Sequence, residues 1–179
     1  MAKNYKSLLV YFSRTGNTKK VAETVADILS CDQVEEVTES QGRAGALGYL
    51  RSIWEAATGA APVIDSPLND PSHYDVVIVA SPVWMSRLSS PIRTYLLKEG
   101  EKLPRVAFVV TEGGSGGNRV LLQMRDMCHK IPLSEVVITE DDILKGSHLK
   151  KIRSFAEKLQ KQFEKDSGTV AVSPRKVVP

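Results

Sequence analysis

The residues Ser13-Arg14-Thr15-Gly16-Asn17-Thr18 concentrate hydrogen-bond donors in six positions. Three hydroxyls, an amide and a guanidinium stand directly before a run with helical spacing. A helix start leaves backbone N–H groups unpaired and carries positive partial charge, so it attracts anions. Gly16 lets the backbone turn tightly and come close to a ligand. The segment matches neither the P-loop pattern nor the glycine pattern of dinucleotide-binding folds. A tyrosine-phosphatase loop would need a cysteine nucleophile, and the segment has none. Hydroxyls with backbone amides suit a terminal phosphate monoester held without a metal. An ordinary helix cap is the competing reading of the same residues.

The surrounding chain supplies the elements that must position this loop. Ser7 to Phe12 is a continuous apolar run, the pattern of a strand buried on both faces. Lys19 to Leu29 has helical spacing. Gln33 to Val37 is a short, poorly apolar strand candidate for a sheet edge. Ala44 to Ala57 reads as a helix with Leu47, Leu50, Ile53 and Trp54 on one stripe, and Gly59 to Ser72 as a loop. Further strands are expected at Asp75 to Ala80, Arg105 to Val110 and Ser134 to Ile138. Between and after them, helices are expected at Pro91 to Leu97, Asn118 to His129 and Leu149 to Phe163. From Asp166 onward no periodic pattern survives, so residues 1–166 form one domain and 167–179 a mobile tail.

Strands alternate with helices five times, which predicts a doubly wound α/β fold with a five-stranded parallel sheet. Such sheets bind ligands at the carboxyl ends of strands, near the point where the strand order reverses. The loops after the first, third and fourth strands are therefore the places to search.

At these three loops the sequence resembles the flavodoxins. Tyr11-Phe12-Ser13-Arg14-Thr15-Gly16-Asn17-Thr18 looks like their phosphate-binding fingerprint. Ala80-Ser81-Pro82-Val83-Trp84-Met85 is similar to their second loop. Thr111-Glu112-Gly113-Gly114-Ser115-Gly116-Gly117 is similar to their glycine-rich third loop. The resemblance implies a flavodoxin-like fold of strand order 2-1-3-4-5 and FMN as cofactor. It implies that Ser13, Arg14, Thr15, Gly16, Asn17 and Thr18 bind the FMN phosphate. Pro82, Val83, Trp84 and Met85 would flank the isoalloxazine ring, and Glu112, Gly113, Gly114 and Gly116 would approach its other side or polar edge. Independently of the resemblance, an electron-poor ring favours aromatic and thioether neighbours, which Trp84 and Met85 supply. As alternatives, Trp84 is an ordinary core residue and the glycines a flexible turn.

Two departures bear on function. Many flavodoxins carry a stacking tyrosine in the third loop, and Thr111 to Asn118 has no aromatic. Carrier flavodoxins are usually acidic, whereas this chain of 179 residues has a formal charge of +3. Both departures favour a flavin-dependent oxidoreductase that takes electrons from NAD(P)H and passes them to a small acceptor such as a quinone. The competing role is electron transfer with a redox protein. A non-redox binding or regulatory module on the same fold is a further alternative. The segment Gln41 to Ala61 resembles the variant helical region of some flavodoxin-like proteins and is a candidate for lining the site, the alternative being that Tyr49, Leu50, Ile53 and Trp54 are the buried stripe of a helix; a homodimer is left open.

The remaining candidates carry less chemistry. His73, His129 and His148 are scattered, and no Ser-His-Asp set can be assigned. Cys31 and Cys128 have no metal-ligand spacing and read as free thiols. Glu140-Asp141-Asp142 could bind a divalent ion, but helix capping fits it better. No metal site and no catalytic side chain is expected. The weak charge and sparse aromatics argue against nucleic acid. No apolar run is long enough to span a bilayer, and the start of the chain lacks a secretory pattern, so a cytoplasmic location is expected.

Overall fold

The computed structural model describes residues 3–39 and 62–170. The expected helix over 44–57, the start of the expected loop at 59–61 and the tail beyond 170 lie outside the described residues. The remaining part is a parallel sheet with helices on both faces.

Five parallel strands form the sheet: β1 (Ser7–Tyr11), β2 (Gln33–Glu36), β3 (Val76–Trp84), β5 (Arg105–Glu112) and β6 (Glu135–Thr139). Their order is β2-β1-β3-β5-β6, as expected once the extra strand β4 (Arg87–Leu88) is counted. β4 pairs antiparallel with the end of β3, with Trp84 opposite Arg87. Sequence periodicity misses it because two residues show no pattern.

Alternation along the strands divides the apolar residues between two cores. Leu8 and Val10 of β1, Val77 and Val79 of β3 and Val106, Phe108 and Val110 of β5 face one side. There they meet Ile92, Tyr95 and Leu96 of α2 (Ser90–Glu99) and Val120 and Met124 of α3 (Gly117–Cys128). Leu9, Ile78 and Val109 face the other side. They pack under Val21 and Val25 of α1 (Asn17–Leu29) and Ile152, Phe155 and Leu159 of α5 (His148–Val170). The central strands carry unbroken apolar runs, Leu8 to Tyr11, Val76 to Ala80 and Val106 to Val110, because both faces are covered there.

Several boundaries move. β3 runs four residues past Ala80 and β5 two past Val110, and both extensions pair with each other up to Pro82 opposite Thr111. Helix α5 continues to Val170, beyond the expected end at Phe163. The acidic triplet Glu140-Asp141-Asp142 opens the short helix α4 (Glu140–Leu144). The expected capping is present: the Asp142 N–H donates to Thr139 Oγ1 at 3.0 Å, and Asp142 Oδ2 accepts from the Thr139 N–H at 2.9 Å. Glu35, in the expected edge strand, is buried. Its carboxylate accepts from the backbone N–H groups of Leu68 and Asn69, tying the segment after residue 62 to β2.

Candidate cofactor cleft

The sheet reverses its order between β1 and β3, and a cleft of about 180 Å³ opens at the carboxyl ends of the strands there. Arg14, Thr15, Asn17 and Thr18 line it from the first loop. Pro82, Val83 and Trp84 line it from the end of β3. Thr111, Glu112 and Gly113 come from the end of β5, and Glu140 and Ile143 from α4. All three loops found in the sequence thus reach one cleft.

The first loop leaves β1 and enters α1 through Gly16, whose φ of 91° lies in the left-handed region. No side chain caps the start of α1. Ser13 Oγ is buried and has no hydrogen-bond partner. Buried polar groups are rarely left unpaired, and this one belongs to the loop whose residue types suit an anion. The cap reading of the loop therefore lacks the bond that defines it. Thr18 is buried, and its hydroxyl lies 2.8 Å from that of Thr111. That contact fastens the first loop to the end of β5.

Trp84 is half-buried and stands T-shaped against Phe12, with ring centroids 5.4 Å apart. It packs against the core and also lines the cleft. Met85 and Ser86 form the two-residue turn between β3 and β4, with φ of 50° and 58°. Both signs are positive, as a tight hairpin demands, yet neither residue is Gly, Asn or Asp. Met85 is 64% exposed and lies at the tip of the hairpin, outside the cleft lining.

The third loop divides its residues. Gly113 lines the cleft, whereas Gly114 and Gly116 line a neighbouring depression of about 390 Å³ together with Arg119 and Lys151. Gly116 has a φ of 108°, and a β-carbon there would stand 2.7 Å from Ser86 Cα. Its glycine is required by the hairpin packed against it. Glu112 lines both spaces, and its carboxylate accepts the Gly117 N–H at the start of α3 at 2.7 Å.

The cleft lining holds one guanidinium, Arg14, and two carboxylates, Glu112 and Glu140. Tyr11, at the end of β1, donates its hydroxyl to Glu36 Oε2 at 3.0 Å. Burial first, then that hydrogen bond and the Glu36 charge, hold its phenol protonated far above the usual range. Among the described residues no group of three or more His, Cys, Asp or Glu side chains is placed to hold a metal ion. Both cysteines are free thiols.

A family model described as flavodoxin matches residues 6–159. The chain belongs to the flavodoxin family. No curated protein matches it by sequence. Among solved structures, a Lactobacillus acidophilus flavoprotein in complex with FMN is 26% identical, over 80% of this chain and 97% of that one, with a TM-score of 0.63. A Bacteroides eggerthii protein of the same fold is 22% identical over 95% of this chain and 100% of that one, with a TM-score of 0.67. A flavodoxin from the domain Archaea is 17% identical over 86% and 98%, with a TM-score of 0.52.

This flavodoxin-family cleft also uses residues the loop motifs do not mark. Glu140 and Ile143 come from a helix far along the chain, where the acidic triplet was read as a helix cap or a divalent-ion site and not as part of this cleft. No helix among the described residues is long and apolar enough to cross a membrane.

Proposed function

We propose that this chain binds FMN in the cleft and works as a flavin-dependent oxidoreductase or electron-transfer protein. The observation that carries the reading is the first loop: an uncapped helix start beside a buried, unpartnered Ser13 hydroxyl, in a loop of a cleft shared by three loops. The family membership and the FMN-bound relative from Lactobacillus acidophilus support it.

In this reading Ser13, Arg14, Thr15, Gly16, Asn17 and Thr18 hold the phosphate. Hydroxyls and the backbone at the start of α1 donate to it, and Gly16 keeps the approach clear: no atom lies within 4 Å of where its β-carbon would be. Pro82, Val83 and Trp84 offer the apolar wall for a flat ring, with Met85 at its margin. Glu112 and Gly113 border the opposite wall, and Gly114 and Gly116 shape the loop behind it. FMN supplies the electron chemistry when bound, and the protein supplies orientation, access and electrostatics. None of the chain's own side chains is needed as a general base.

The mildly basic charge of +3 and the absence of an aromatic from Thr111 to Asn118 favour a reductase over a carrier with an acidic docking rim. NAD(P)H is then the donor and a quinone or similar small molecule the acceptor. Titration with FMN and with riboflavin tests the binding. FMN should bind, and riboflavin should bind about tenfold or more weakly, since it lacks the charge-assisted bonds to the loop. No uptake of FMN, under conditions where a control flavodoxin takes it up, would overturn the proposal. NAD(P)H oxidation with a panel of quinones separates the two roles: turnover supports the reductase, and its absence alongside reduction by a protein donor supports the carrier.

A further inference from the structure

Glu140 enters the cleft from an element outside the three loops. It is the first residue of α4, at the end of β6. Its Oε1 accepts from Asn17 Nδ2 at 3.1 Å. Its Oε2 lies 3.6 Å from the position a β-carbon would take on Gly113. One carboxylate therefore touches the first loop and faces the third. The helix that carries it is held in place by the Thr139–Asp142 capping box and by Lys151, which donates to Asp142. Among the described residues Glu140 makes no ion pair, whereas its neighbour Asp141 pairs with Lys145 at 2.7 Å.

An ionised carboxylate only accepts hydrogen bonds. It therefore fixes the Asn17 amide with its nitrogen toward Glu140, and a freely turning amide becomes an oriented one. The negative charge does a second thing. It stands exposed at the wall of the cleft, with Arg14 as the one guanidinium of the same lining among the described residues, and disfavours negative charge added beside it. Glu112 differs, because its carboxylate already accepts the N–H at the start of α3.

We propose that Glu140 is a positioning residue of this cleft: it orients Asn17 toward bound FMN and makes the cleft favour the oxidised over the reduced cofactor. The proposal rests on the FMN reading given above. The test measures dissociation constants for oxidised FMN, and anaerobically for chemically reduced FMN, in the wild type and in Glu140→Gln, Glu140→Ala, Asn17→Ala, the Glu140→Ala/Asn17→Ala pair and Asp141→Asn. Circular dichroism confirms that each variant is folded.

Glu140→Gln keeps the shape and removes the charge, so reduced FMN should gain about threefold in affinity relative to oxidised FMN, a modest change because the group is exposed and screened. Glu140→Ala should weaken oxidised FMN about three- to tenfold. That loss should vanish in the Asn17→Ala background, since the two residues then act as one. Asp141→Asn removes the same charge outside the cleft and should leave the ratio of the two constants unchanged. The proposal is overturned if the wild type binds FMN but Glu140→Gln leaves that ratio as it was. It is overturned equally if Glu140→Ala costs as much without Asn17 as with it. A wild type that binds no FMN overturns the FMN reading, and this inference with it.

Discussion

Gly116→Ala should destabilise the protein by about 3–4 kcal/mol, from two sources that the structure separates. The first is backbone strain: at a φ of 108° an alanine costs about 1–3 kcal/mol. The second is steric. The new β-carbon would stand 2.7 Å from Ser86 Cα and 2.9 Å from Ser86 Cβ, closer than carbon atoms approach. Relieving such an overlap by moving backbone typically costs a further 1–3 kcal/mol. The neighbouring Gly114 is the control. A β-carbon there meets nothing within 4 Å and the residue has no positive φ, so Gly114→Ala should stay within about 0.5 kcal/mol of wild type. Urea denaturation read by circular dichroism gives both values, provided the slope with denaturant is unchanged. At this chain length the loss for Gly116→Ala corresponds to a fall in Tm of about 10 °C. Adding Ser86→Gly should recover less than half of it, because the contact with Ser86 Cα remains. Equal effects at Gly114 and Gly116, or a cost below 1 kcal/mol at Gly116, would refute the claim that the third loop and the hairpin are interlocked.

Ser13→Ala should leave stability unchanged or raise it slightly, because it removes a buried hydroxyl with no partner. The same variant should weaken FMN about tenfold in a fluorescence titration, and a loss of stability in place of a loss of affinity would count against the assignment of Ser13. Asp142 is held well below the usual carboxylate range, chiefly by Lys151, and also by the Thr139 N–H and the Ser147 and Thr139 hydroxyls. Its folded pKa is depressed, so its contribution is fully present above the ordinary carboxylate pKa and is lost as pH falls from about 4 toward the folded value. Asp142→Asn should therefore cost about 2 kcal/mol at pH 7 and progressively less below pH 4, measured by urea melts across that range.

Residues Ser13 to Thr18 were legible as a candidate ligand loop because their chemistry is local: hydroxyls, a glycine and a helix start lie within six positions. Trp84 was legible as a cleft residue from the Pro-Val-Trp segment after a buried strand. Met85 was legible as a neighbour of that wall, yet the hairpin that turns it outward depends on a two-residue strand with no periodic signal. Gly113, Gly114 and Gly116 of the third loop looked equivalent in one dimension. Gly113 faces the cleft, while Gly116 faces Ser86, and only the packed hairpin separates the two roles. The end of α5 was placed too early because the apolar stripe stops where the helix leaves the sheet, although the backbone continues to Val170.

The unbroken apolar runs of β1, β3 and β5 and the 3.6-residue stripes of the helices dictate a covered parallel sheet, since burial is the dominant force and its period is written along the chain. Given that sheet, the loops after the first, third and fourth sequence-predicted strands had to gather at one end. Contacts between residues distant in sequence follow no such period. The Thr18–Thr111 hydroxyl pair, the Gly116–Ser86 interlock and the reach of Glu140 to Asn17 each join segments that neither propensity nor spacing connects. They exist because the strand order sets β1 beside β3, β3 beside β5 and β5 beside β6, and it is this adjacency that makes the first loop one wall of a cleft shared with the other two.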